Sequence, residues 1–133
     1  MAEEKVKVYL KKDKNFFVVE RANEAIGKTI KSTMGNLEWD KDNFPNPDKM
    51  ISDLNAKGIK TILITEPFIL TTSSKWKEAV DKKVLVTDNT GKPATWDFYF
   101  GNTSVVDIFK PEGKAWFWNV YKRLINQGVG GMW

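Results

Sequence analysis

The chain has 133 residues, enough for one domain with a real core, and its 41% apolar content excludes a mainly disordered state. It contains no Cys and no His, so disulfides and thiol chemistry are excluded, and any acid–base work falls to carboxylates, Tyr or Lys. Its 21 basic and 17 acidic residues give a mild, well-mixed +4, a poor match to nucleic acid, and no apolar run approaches the ~18 residues of a membrane span.

Residues 5–11 alternate Val6, Val8 and Leu10 against Lys5, Lys7, Tyr9 and Lys11, the period of a half-exposed strand. Asp13-Lys14-Asn15 reads as a turn, and residues 16–20 as the second arm of an N-terminal β-hairpin. Its outer lysines protect an edge. Residues 22–33 read as a short helix capped by Asn23, with Ala25, Ile26 and Ile30 inward. A loop follows from Met34 to Pro47. Asn46 then caps a helix with Pro47 in its first position, Met50, Ile51 and Leu54 on its apolar stripe, and Gly58 at its end.

Ile59 to Ile64 is a nearly continuous apolar, β-branched run, the pattern of a strand buried on both faces. Pro67 ends it and biases Glu66 toward an extended conformation. In parallel α/β sheets chemistry sits just past the carboxyl ends of strands, so Glu66 is the first candidate. The competing reading is a solvated loop acid.

A further helix is expected from Thr71-Thr72-Ser73, with Trp76, Ala79 and Val80 on one face. Val84-Leu85-Val86 reads as a short strand and residues 88–93 as a turn. Trp96, Phe98 and Phe100 alternate with Asp97 and Tyr99 as a second hairpin arm, and residues 104–109 are extended. Pro111 opens the clearest helix, to about Gln127, with Ala115, Trp118 (or Phe117), Tyr121, Leu124 and Ile125 at helical spacing. Gly128 stops it, and residues 129–133 read as a buried strand, parallel to 59–65 through a helical crossover.

Trp39-Asp40, Phe44-Pro45-x-Pro47-x-x-Met50, Leu54, Gly58-x-Lys60 and Glu66-Pro67 stand in this order. So do Val106-Asp107-Ile108-Phe109-x-Pro111-Glu112, Trp116/Trp118 and Gly128-Val129-x-Gly131-x-Trp133. Together they resemble the catalytic domain of glycoside hydrolase family 31, which includes α-glucosidases and α-xylosidases, over about residues 34–133. The resemblance implies a (β/α)8 barrel and a retaining mechanism with an Asp nucleophile and an Asp acid/base, whose carboxyls must lie about 5–5.5 Å apart. It places the nucleophile just beyond Trp133 and the acid/base further on, so no residue of this chain is assigned a catalytic role. The expected fold is α/β: a barrel fragment forming a small mixed sheet with flanking helices beside the hairpin, taken as a single domain over 1–133. Residues 1–33 have no assigned origin, and a truncated or engineered chain, or a degraded gene product, is the expected history.

The resemblance sets Glu66 and Asp107 near a sugar pocket and Asp40 in a substrate-side loop. Trp39, Trp96 and Phe100 are the aromatics suited to stacking on sugar C–H faces. Core filling for the aromatics and a turn or cap role for Asp107 are the competing readings. An α-linked oligosaccharide is the expected partner; no cofactor, metal, nucleic acid or membrane is expected. The alternative from another class is a carbohydrate- or protein-binding module that self-associates through an open strand edge.

Overall fold

The computed structural model describes residues 6–10, 16–21 and 35–133. The turn expected at 13–15 and the helix expected over 22–33 lie outside the described residues. In chain order the elements are β1 (Val6–Leu10), β2 (Phe16–Arg21), α1 (Pro47–Ala56), β3 (Lys60–Leu63), β4 (Phe68–Leu70), α2 (Trp76–Asp81), β5 (Trp96–Phe98), β6 (Gly101–Val105), α3 (Pro111–Asn126) and β7 (Gly131–Met132). They form two compact units. Among the described residues the first takes in β1, β2, 38–65 and 121–133, and the second 35–37 and 66–120.

The first unit holds a four-stranded sheet in the order β1-β2-β3-β7. β1 and β2 are antiparallel, with Val8 opposite Val19. β2 and β3 are parallel, with Phe17 opposite Thr61. β3 and β7 are parallel too, with Ile62 opposite Gly131, as the crossover reading expects. Gly130 N donates to Thr61 O at 2.9 Å, Trp133 N to Leu63 O at 2.7 Å and Thr65 N to Trp133 O at 2.8 Å, the slanted spacing of a parallel ladder.

The two helix ends that lie in this unit close as their sequences dictate. Asn46 accepts from Lys49 N at 3.0 Å and Pro47 opens α1, whose end is closed by Ile59 N on Leu54 O and Gly58 N on Asn55 O. Gly58 has φ +74°, so this is a Schellman close with glycine in the left-handed position. The same pair of bonds, Val129 N to Leu124 O and Gly128 N to Ile125 O, closes α3, with Gly128 at φ +92°. Ile51, Leu124, Val129 and Thr61 are buried side chains of this unit among residues 38–65 and 121–133.

In the second unit β4, β6 and β5 form a three-stranded antiparallel sheet, with Ile69 opposite Ser104 and Trp96 opposite Thr103. Leu85 bridges to Val106. Ile69, Leu70, Ala79, Val84, Leu85 and Val106 are at most 2% exposed and form the core, joined by Phe117. In the turn at 88–93, the Asp88 carboxylate accepts from the Thr90 hydroxyl at 2.7 Å, Thr90 N at 2.8 Å and Lys92 N at 3.1 Å. The Thr90 hydroxyl is the main cause holding Asp88 below the usual carboxylate range.

Four expectations need correction. The 59–64 run is not buried on both faces. Thr61 is 2% exposed but Ile64 is 56% exposed, because alternate residues of an extended chain point to opposite faces and only one is covered. On α3 the expected stripe holds at Leu124 and at Phe117, the alternative to Trp118, which are buried, but Trp118 (54% exposed), Ile125 (46%) and Ala115 face outward. β4 follows Pro67 directly, where no strand was expected; it pairs with β6, and Pro67 O accepts from Val106 N at 2.9 Å. The helix expected from Thr71 begins only at Trp76, after a turn that buries Ser73.

On α2, Glu78 accepts from Trp116 Nε1 at 2.8 Å and Lys82 Nζ at 2.9 Å, with Lys75 Nζ at 3.5 Å. The Trp116 bond first, then the Lys82 bond and the Lys75 charge, lower its pKa to about 2. A depressed carboxylate stabilises the fold above its ordinary pKa, here 4.5, and that contribution is lost as pH falls toward 2. The Glu78 side chain is 36% exposed, so solvent screening reduces the effect to on the order of 1 kcal/mol. Glu78→Gln should therefore be less stable than the parent at pH 7, with the gap closing between pH 4.5 and 2 in urea titrations. A pH-independent gap would show that shape, not charge, holds Trp116.

Candidate functional site

The candidate residues divide between the units: Trp39 and Asp40 belong to the first, and Glu66, Trp96, Phe100 and Asp107 to the second. In the loop before α1, Trp39 lies edge-on to Phe44 at 5.4 Å and its indole N–H donates to Gln127 Oε1 at 2.9 Å. Gln127 in turn donates to Asp48 Oδ1 at 2.9 Å, so the loop is tied both to the carboxyl end of α3 and to the first turn of α1. Asp40 organises the same loop: Oδ1 accepts from Asp42 N at 3.1 Å, Oδ2 from Asn43 Nδ2, and its carbonyl from Phe44 N at 2.7 Å.

Asp107 caps the turn before α3. Its Oδ1 accepts from Phe109 N at 3.1 Å, and Oδ2 lies 3.5 Å from Lys110 Nζ. Lys110 Nζ also donates to Leu85 O at 2.9 Å. Glu66 is the exception among the acids. It is half-buried just past the end of β3, and its Oε2 is buried with no hydrogen-bond partner. A dehydrated carboxylate oxygen without a donor costs on the order of 1–3 kcal/mol, a cost that a ligand hydroxyl offsets by donating to it.

Trp96 is 39% exposed on β5. Phe100 follows β5 and sits 5.7 Å from Phe98 and 5.2 Å, edge-on, from Tyr99. Phe98 stacks on Phe68 at 4.9 Å with 20° between the ring planes. The second unit thus brings Phe68, Phe98, Tyr99 and Phe100 into one run of ring contacts beside Trp96, with Phe98 41% and Tyr99 75% exposed. Sequence reasoning selected the ends of the 96-98-100 alternation and missed Phe98 between them; the period-two pattern already placed it with Trp96. Its partner Phe68 carried no such signal. Among the described residues no group of His, Cys, Asp or Glu is arranged to hold a metal, and no helix is long and apolar enough to cross a membrane.

The model of the family 31 glycosyl hydrolase TIM-barrel domain matches residues 14–133. An alpha-xylosidase of Lactiplantibacillus pentosus is 34% identical over 93 residues, 70% of this chain and 12% of that enzyme. The alpha subunit of glucosidase 2 from Schizosaccharomyces pombe is 37% identical over 87 residues, 63% of this chain and 9% of its own. A family 31 dextranase of Flavobacterium johnsoniae, solved with glucose, superposes with a TM-score of 0.68 at 35% identity over 77% of this chain and 13% of that one. The chain thus spans between 9% and 13% of the length of these relatives. The match begins at residue 14, further toward the amino terminus than the motifs from Met34 onward, and takes in β2.

Proposed function

Because the chain belongs to glycoside hydrolase family 31, we propose that it forms part of the sugar-facing end of an α-glycosidase barrel. On this reading its 133 residues alone bind α-linked glucose or xylose oligosaccharides without cleaving them. β2, β3 and β7 run parallel, α1 leads into β3 and α3 into β7, which is the repeat of a (β/α)8 barrel. Among the described residues there are three such parallel strands, too few to close a barrel, which supports a fragment. The two aspartates that the resemblance assigns to catalysis are not among these residues, which supports an inactive chain.

The observation that carries the binding role is the buried, partnerless Oε2 of Glu66 at the carboxyl end of β3. On this reading it accepts a sugar hydroxyl, Trp96 and Phe100 of the same unit offer ring faces to the sugar's C–H surface, and Asp107 holds the turn before α3; within the first unit, Trp39 and Asp40 hold the loop before α1. The test is titration with isomaltotriose followed by Trp fluorescence, alongside an assay with chromogenic α-glucoside and α-xyloside. Trp96→Phe should remove most of the fluorescence change. Glu66→Ala should weaken binding about tenfold, the scale of one hydrogen bond to a charged group. A titration indifferent to both changes would overturn the binding role, and turnover that survives purification to homogeneity would overturn the inactivity.

A further inference from the structure

The second unit contains a cavity of about 600 Å³, large enough for a molecule of sugar size, whose floor includes the buried Ala79 and Leu85. Four lysines line it (Lys82, Lys83, Lys92 and Lys110) against one carboxylate, Glu112. Two of these ammonium groups are already engaged: Lys82 with Glu78, and Lys110 with Leu85 O and Asp107. Lys83 and Lys92 have no ion-pair partner among the described residues; only their backbone groups are bonded, Lys83 N to Val80 O and Lys92 N to the Asp88 carboxylate.

Lys83 stands where its neighbours would favour glycine. Lys83 N to Val80 O and Val84 N to Ala79 O close α2 as Gly58 and Gly128 close α1 and α3, yet Lys83 takes φ +56° with a full side chain. A non-glycine residue there costs about 1 kcal/mol. Lys83 and Lys92 both line the cavity, and neither side chain has an ion-pair partner among the described residues.

We propose that this cavity is an anion-binding site for a small organic phosphate ester of about the size of a sugar phosphate, held by the ammonium groups of Lys83 and Lys92. Lys82 and Lys110 add to the positive field, the apolar floor accepts the body of the ligand, and Glu112 opposes binding. The site draws on none of the residues proposed above to face the oligosaccharide, Asp107 apart, which only pairs with Lys110.

The test is calorimetric titration of the 133-residue protein with glucose 6-phosphate, with glucose as the neutral control and inorganic phosphate as competitor. Glucose 6-phosphate should bind, glucose should not, and phosphate should compete. The Lys83→Gly/Lys92→Gln double variant should bind about tenfold or more weakly, the scale of one lost charge-assisted contact. Because glycine suits the left-handed position, Lys83→Gly alone should melt no lower than the parent, so lost binding cannot be ascribed to unfolding. Glu112→Gln should tighten binding. Raising ionic strength from about 0.01 M to 0.15 M, which shortens the Debye length from about 30 Å to 8 Å, should weaken it. Equal binding of glucose, no binding of glucose 6-phosphate, or unchanged affinity in the folded double variant would each overturn the proposal.

Discussion

Gly113→Ala should destabilise the protein by about 3 kcal/mol, although alanine in a helix ordinarily gains about 1 kcal/mol over glycine. Gly113 is the third residue of α3 and is buried. A Cβ there would overlap Asp107 O and lie 2.9 Å from Asp107 C and 3.2 Å from Val84 O. All three are backbone atoms, so no rotamer change relieves the overlap. Nor is the backbone free to retreat: Asp107 N donates to Val84 O at 2.8 Å, and Asp107 O accepts from Lys110 N at 3.2 Å. The helix must lift off the strand end or break those bonds. Ala115→Gly, two positions along the same helix on an exposed site, is the control and should cost about 1 kcal/mol through propensity alone. Urea titrations decide it: a Gly113→Ala protein as stable as the parent would mean that α3 does not close onto residue 107 as described.

What could be read without coordinates was what is coded locally. The start and stop of α1 were legible because Asn46, Pro47 and Gly58 each act on the backbone within a turn of themselves. The parallel pairing of β3 with β7 followed from chain order, since a strand, a helix and a strand of these lengths have few other solutions. The inward face of α3 was not legible. Trp116, Phe117 and Trp118 are consecutive, so a helical stripe can be drawn through any of them; the neighbours in space select Phe117. β4 escaped for a similar reason, since three residues after a proline carry no period and its partner lies some 35 residues away.

The candidate site divides along the same line. Glu66 was legible as a position, because proline fixes where the strand ends. Its partnerless oxygen is a property of everything around it and has no signature in a one-dimensional pattern. The ring contact of Phe98 with Phe68 is likewise long-range. Lys83 was hidden by its own identity: the sequence signal for a left-handed helix end is glycine, and a lysine there is legible only from φ and the two backbone bonds.

Ile51→Ala should cost about 3–4 kcal/mol, the range for emptying a fully buried aliphatic site. Ile51 is 0% exposed on the inner face of α1. Its Cγ2 lies 3.4 Å from where a Cβ on Gly128 would be, and Asn55, one turn on, donates to Gly128 O at 3.0 Å. The side chain therefore packs under the point where α3 closes and the chain turns into β7, so its loss leaves a void beneath a junction fixed by backbone bonds. Those bonds resist collapse into the void, which puts the expected cost in the upper part of the range. Ile51→Val, which removes one methylene, should cost only about 1 kcal/mol. The ratio of the two separates a rigid cavity from a site that relaxes: a small, equal loss for both substitutions would show that α1 follows the missing volume and that the Gly128 junction does not hold it in place. Denaturant midpoints with unchanged slopes are the required readout, since a change in slope would report a different unfolded state rather than a hole in the folded one.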